Sequence, residues 1–319
     1  MKKFLIMITV AVMCFVFAAC GEEEEQPEEQ VDYEIAMVTA AGLLMNGGYS
    51  EVAWDVITDV GESRGISHKY YKAAEATDEA YSEAIRNAVD RGAKVIVADG
   101  YSFEDVIYKA QKKYPDVPYF LIGHSMGSAL SRQYMQTYGA GLQGVILLGV
   151  TADHSGLTYA TGQTVCRIAA LFRGWHYHSK LVGSMAIGSY NRKFRPNKTR
   201  ADWVTSDQQQ LEIYIKDPLC SFTFTVNAYY NMMKGMRKIR RKEAVFMIPK
   251  NLPILLAAGI DDPVGDFGKG VRKIYNTYKK VGIKDVTLQL YPDARHELLN
   301  EEIKERVYQD LYEWLQKRL

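Results

Sequence analysis

Three short segments of the chain carry side chains that together could perform acyl transfer. The first is Gly123-His124-Ser125-Met126-Gly127, placed directly after the apolar run at residues 117–122 and before a stretch with helical character. Glycines allow a sharp turn from strand into helix, and that turn pushes the Ser125 hydroxyl out above a sheet. The backbone amide of Met126, opening the helix, would then face the position where an oxyanion develops. The second segment is Gly259-Ile260-Asp261-Asp262-Pro263-Val264, after the apolar run at residues 253–258. A carboxylate there can orient a histidine and stabilise its imidazolium. Asp262 is the candidate and Asp261 the close alternative; the plain reading of either is a loop residue capping the next helix. The third segment is Asp293-Ala294-Arg295-His296-Glu297, after residues 286–291. Of six histidines, His124 lies inside the serine segment, His154, His176 and His178 lie in or near residues 150–249, and His68 is N-terminal. Only His296 follows a late strand. The expected chemistry is nucleophilic, with Ser125 as nucleophile, Asp262 as acid and His296 as base.

Those groups need a scaffold that brings three distant loops to one edge. Residues 34–39, 68–72, 94–98, 117–122, 144–148, 253–258 and 286–291 read as strands, most of them apolar runs. Residues 50–64, 78–91, 103–113, 125–138 and 301–319 read as helices, several with apolar side chains at helical spacing. Strands separated by single helices predict an α/β fold with a parallel, doubly wound sheet. From 150 to about 249 the strand signal disappears. Helical, aromatic-rich segments there are expected to cap the carboxyl edge of the sheet, with Trp175 and Trp203 in the cap core and a substrate clamp as their functional alternative. The basic run at residues 237–242 reads as a solvated helix face, with anionic lipid headgroups as its functional alternative.

The N-terminus sets the compartment. Lys2 and Lys3 precede an apolar run at residues 4–17, and Ala18-Ala19-Cys20 follows. A basic start, a short apolar stretch and small residues before a cut predict an export signal over residues 1–20. The small-small-Cys ending resembles a bacterial lipobox, which implies lipidation of Cys20 and an exported protein anchored in the bacterial cell membrane. Residues 21–32 are an acidic tether; residues 21–30 hold six glutamates and no apolar side chain, too little to bury for independent order. The remainder has globular composition: 319 residues overall, 47% hydrophobic, 24% charged, net charge +1. That balance gives no electrostatic reason to expect nucleic acid as a partner. Cys166 and Cys220 are read as buried thiols, with pairing left open. No metal-binding spacing or cofactor motif is present.

Residues 114–319 resemble the monoacylglycerol lipase and lysophospholipase branch of the α/β hydrolases, the serine aminopeptidase-like group. The matching segments are YPDVPYFLIGHSMGS, KLVGSMAIGSYNRKFRP, DWVTSD, KDPLCSFTFT, DDPVGDFGKGV and YPDARHELLNE. The resemblance implies hydrolysis of carboxylic esters, with Ser125, Asp262 and His296 as the triad and an acyl chain under the cap. That group normally supplies early strands whose loop gives a second oxyanion amide, and no such segment precedes Ser125. Residues 33–122 instead resemble the first half lobe of the basic membrane protein family, lipoprotein nucleoside-binding components of transporters. The segments are EIAMVTAAGLLMNGGYSEVAWD, GISHKYYKAAEATDEAYSEAI and DRGAKVIVADGYSFEDVI. That likeness implies a purine nucleoside held by Asn46, Tyr49 and Ser50, with Tyr49 as the stacking ring.

The chain therefore reads as a splice of two α/β families joined near residues 114–122, in one sheet of order 2-1-3-4-5-6-7. If the strand at 94–98 lies beside that at 117–122, an amide of Tyr101 or Ser102 would stand in for the missing oxyanion donor. The plain reading is that this loop simply turns into its helix. Two function classes follow: an ester hydrolase working through an acyl-enzyme, or a nucleoside-binding lipoprotein or its non-catalytic remnant.

Overall fold

The computed structural model describes residues 34–40, 49–98, 103–220 and 222–318. The chain divides between Ala110 and Gln111 into two units, each described by itself. Asn46 and Tyr101, with Ser102 and Cys20, lie outside the described residues.

In the first unit, β1 (Ile35–Thr39), α1 (Tyr49–Arg64), β2 (His68–Lys72), α2 (Asp78–Asp90), β3 (Val95–Ala98) and α3 (Glu104–Lys113) alternate as the apolar spacing predicts, with α3 running past the boundary. β1 is central and pairs in parallel with β2 and β3. Its Ala36, Met37 and Val38 are fully buried, as expected for a strand covered on both faces. Thr77 caps α2, its hydroxyl accepting from the Ala80 amide at 3.3 Å. Tyr49 and Ser50 open α1.

The second unit holds β4 (Phe120–His124), α4 (Met126–Tyr138), β5 (Gly144–Leu148), the cap helices α5 (Gly156–Arg173), α6 (Lys180–Ala186), α7 (Gln208–Lys216), α8 (Val226–Ile239) and α9 (Lys242–Phe246), then β6 (Ile254–Gly259), α10 (Lys269–Lys280), β7 (Val286–Tyr291) and α11 (Lys304–Gln316). Its sheet is parallel, in the order β4-β5-β6-β7. Alternate residues of β5 and β6 build two cores. Val145, Leu147, Ile254 and Leu256 face Met135 of α4 and Val271, Ile274 and Tyr278 of α10. Ile146, Leu148, Leu255 and Ala257 face Val307 and Trp314 of α11. This two-sided burial explains why the central strands read as unbroken apolar runs.

The structure differs from the sequence reading in several places. Among the described residues, strand pairing runs β2-β1-β3 within the first unit and β4-β5-β6-β7 within the second, where the sequence reading has one order 2-1-3-4-5-6-7. β3 has only four residues, and β4 starts at Phe120 because Pro118 cannot donate to a ladder and residues 114–117 close a turn. The sequence reading also names no element for α10, although Val271, Ile274 and Tyr278 line its buried face. Cys166 and Cys220 are free thiols, the first buried and the second partly exposed.

Candidate active site

Ser125 sits at the joint between β4 and α4 with φ 53° and ψ −117°, a backbone conformation that a residue with a Cβ rarely adopts. Such a residue persists only where its surroundings fix it, at roughly 1–3 kcal/mol. Here the Ser125 amide donates to the Leu148 carbonyl at 3.0 Å. The Ser125 carbonyl accepts from the Ser128 amide at 2.9 Å, the Ser128 hydroxyl at 2.6 Å and the Thr151 hydroxyl at 3.3 Å. A Cβ at Gly123 would lie 2.3 Å from Ser131 Oγ and 2.4 Å from the Gly127 carbonyl, so that glycine is required. Gly127 is not required in this way: nothing lies within 4 Å of where its Cβ would be. As the first residue of α4, Met126 has no carbonyl within the helix to receive its N–H, which leaves that donor for an oxyanion.

β6 and β7 deliver the other two groups. His296 Nε2 lies 2.7 Å from Ser125 Oγ, and its Nδ1 lies 3.0 Å from Asp262 Oδ2. Asp262 is 0% exposed and His296 3%. The second carboxylate oxygen of Asp262 accepts from the Val264 amide at 2.8 Å, which fixes its plane. Asp261, the alternative acid, points elsewhere and pairs with Lys193 of the cap region at 2.6 Å. Sequence order alone could not separate these neighbours; burial and direction do.

Gly259 allows the two loops to meet. A Cβ there would lie 2.1 Å from the Ala294 carbonyl and 2.3 Å from that of Arg295. The same loops are joined by Ile260 N–H to the Tyr291 carbonyl at 2.8 Å and Asp261 N–H to the Ala294 carbonyl at 2.9 Å. Gly259→Ala is therefore expected to push the histidine loop away, lowering stability by about 1–3 kcal/mol in urea titrations. Ester turnover should fall with it, because displacement of about 1 Å costs on the order of 100-fold.

The electrostatics suit a general base. Burial disfavours a charged His296, but the Asp262 carboxylate outweighs it through charge and hydrogen bond, with help from Glu297, and raises the imidazole above its ordinary value. His124 lies beside it, ring centroids 4.9 Å apart, and contacts the His296 carbonyl at 3.3 Å. Burial lowers the His124 pKa more than Glu297 restores it. A neutral neighbour would not oppose an imidazolium on His296 if that ring took up a proton from Ser125.

Several residues at the site were not assigned to it from sequence. Trp203 packs with Ala201, Val204 and Leu211 in a small cap cluster, as expected, but its ring also lies 5.3 Å from that of His296. Arg132 on α4 is 1% exposed, donates to both Asp153 carboxylate oxygens at 2.8 and 3.0 Å, and reaches the Tyr278 hydroxyl at 3.2 Å. This pair ties α4 to the loop after β5 that holds Thr151, and so supports the Ser125 turn from behind. The available signal was position: Arg132 falls on the buried stripe of α4 with Ser128 and Met135.

Comparison with known proteins follows the same lines. The sequence profile of the Hydrolase_4 family, described as serine aminopeptidase, S33, matches residues 82–303, more than half of the chain. Mouse monoglyceride lipase is 26% identical over 239 residues, covering 72% of this chain and 69% of that protein. A monoacylglycerol lipase of Mycolicibacterium smegmatis is 23% identical over 221 residues, covering 68% of this chain and 69% of its own. Among solved structures, a thermostable carboxyl esterase from Bacillus coagulans aligns with TM-score 0.65 at 24% identity, covering 90% of this chain and 91% of the esterase. A soluble variant of the Saccharomyces cerevisiae monoglyceride lipase aligns with TM-score 0.51 at 18% identity, covering 90% of this chain and 87% of its own. At these identities the structural likeness speaks for the fold.

Proposed function

The chain belongs to the serine aminopeptidase S33 family and has an α/β-hydrolase fold, and from that premise we propose that it hydrolyses carboxylic esters of monoacylglycerol or lysophospholipid type through an acyl-enzyme on Ser125. The observation that carries this reading is the unbroken path Ser125 Oγ, His296 Nε2, His296 Nδ1, Asp262 Oδ2, with both steps at hydrogen-bond length.

The geometry performs the reaction in two halves. Ser125 Oγ attacks the ester carbonyl carbon as its proton passes to His296 Nε2. The carbonyl oxygen becomes an oxyanion and receives the Met126 N–H. His296 returns the proton to the departing alcohol oxygen, which leaves an acyl group on Ser125. Water then gives a proton to His296 and attacks the acyl carbon, and collapse of the second tetrahedral adduct releases the acid and restores the Ser125 hydroxyl. Asp262 remains a carboxylate throughout.

Support for a lipid-like substrate comes from the cap and from the relatives. Leu171, Phe172, Leu181 and Met185 on α5 and α6 are exposed apolar side chains, suited to meeting acyl chains or an interface. The test is direct. A fluorophosphonate probe should label the protein at Ser125, and 2-monoacylglycerol should be turned over faster than an aminoacyl amide. Absence of labelling, or a preference for the amide, would refute the reading.

Export and anchoring through Cys20 belong to the same proposal and rest on the residues at 2–20. Growth with an alkynyl fatty acid should tag the wild-type chain in the membrane fraction, with the tag lost in Cys20→Ser; an untagged wild type refutes the anchor. For residues 33–122, the all-parallel order β2-β1-β3 is compatible with a periplasmic-binding half lobe, since doubly wound sheets commonly use it. The family match nevertheless starts at residue 82, inside that segment, and nucleoside binding is not part of the proposed function.

A further inference from the structure

Between α6 and α7, residues 190–206 form a strap tied to both loops that bear the acid and the base. Lys193 pairs with Asp261 beside the acid and lies 4.4 Å from the centre of the Phe267 ring. On the other side, the Glu297 amide donates to the Val204 carbonyl at 2.8 Å, and the Thr205 hydroxyl donates to the Asn300 carbonyl at 2.9 Å. The Arg295 guanidinium donates to the Thr205 carbonyl at 2.9 Å and to the Asp202 carbonyl. At the centre of these ties is Glu301, a carboxylate 1% exposed. It accepts from the Arg295 amide at 2.7 Å, from the Ser206 amide at 3.1 Å and from the Ser206 hydroxyl. Every donor is neutral, and one comes from the residue immediately before His296.

We propose that Glu301 is a positioning residue for the catalytic base: it locks the strap to the histidine loop, so that Trp203 and the backbone of Arg295 together fix where the His296 imidazole stands. The inference rests on the reading of His296 as the base. A buried carboxylate is costly to desolvate unless its oxygens are satisfied. Its removal would leave the Arg295 and Ser206 donors unpaired in the interior. Either disturbance acts on the backbone that carries the imidazole. Trp203 reports that placement, because its amide is held by Asn191 Oδ1 at 3.0 Å and its ring is flanked by Tyr190 at 5.1 Å and His296 at 5.3 Å.

The experiment uses the emission of Trp203. A protonated imidazole in contact with an indole quenches it, so the wild type should show a pH step that Trp203→Phe removes. The titratable groups facing that imidazole are Asp262, Glu297 and His124, and none of them is substituted in the variants. In Glu301→Ala, kcat on a short soluble ester should fall roughly 10- to 100-fold with KM unchanged, and the midpoint of the Trp203 step should move. Glu301→Gln keeps one oxygen that can accept from the Arg295 amide, and it should recover part of both. A folded Glu301→Ala with wild-type kcat and midpoint overturns the proposal, as does a lowered kcat with an unmoved midpoint, which is what general loosening would give. If Glu301→Ala does not fold, Ser206→Ala removes a single donor, and the same two readouts decide. The outcomes stay separate from those for the proposed function: an unlabelled wild type removes Ser125 as nucleophile, whereas the Trp203 step reports on the imidazole whether or not esters are cleaved.

Discussion

Ser125→Ala is expected to lower kcat for ester hydrolysis by about 10⁶-fold, the loss typical when a triad nucleophile is removed. Substrate affinity and the urea midpoint should change little, because the hydroxyl contributes one hydrogen bond, to His296, and the strained turn is held by backbone and neighbouring groups. Loss of Ser125 Oγ also removes the site of acylation, so no acyl-enzyme should accumulate in a stopped reaction. Stopped-flow release of p-nitrophenol would show a burst in the wild type and none in the variant. A variant that retains the burst would place the nucleophile elsewhere.

The second large effect separates two adjacent carboxylates. Asp262→Asn is expected to lower kcat about 10⁴-fold, since an amide in that place favours the wrong tautomer of the histidine. Asp261→Asn should cost little, because that side chain serves a partly exposed pair with Lys193, worth up to about 1 kcal/mol. The pH profile gives the sign. The base works when neutral, and Asp262 raises its pKa above the ordinary value of 6.5. Wild-type activity should therefore fall as pH is lowered through a point above 6.5. In Asp262→Asn the main raising influence is gone, and the residual activity should persist to lower pH. Profiles of kcat/KM for both variants would settle the assignment; an unshifted acid limb in Asp262→Asn would count against it.

The legible part of this protein was local. Gly144–Leu148 is legible to the residue as an apolar run of strand length, Val286–Tyr291 by its alternation of apolar and polar side chains, and His68–Lys72 only as a short segment between two helices. Ser125 was readable because a serine between glycines, after a strand and before a helix, has a specific backbone consequence, and the turn indeed has φ 53°. The helix after Asp262, α10, has no bounds in the sequence reading although its apolar positions recur at helical spacing. Its cationic exposed positions make it resemble a solvated segment. The order of the strands is less legible for a different reason. Strand pairing is a non-local choice, and nothing in residues 94–98 or 117–122 specifies the neighbour of either.

By itself, the sequence determined most element types, a chain order of Ser125, an aspartate at 261 or 262, then His296, and the helical nature of the cap, since each follows from spacing along a few residues. Only the tertiary structure decided which aspartate meets the histidine, that Gly259 and not Gly127 is sterically compelled, and that Trp203, Arg132 and Glu301 stand around the triad. The physical reason is distance along the chain. Glu301 meets Ser206 across 95 residues and His296 meets Ser125 across 171, and contacts of that span depend on how the whole sheet and its insertion close together.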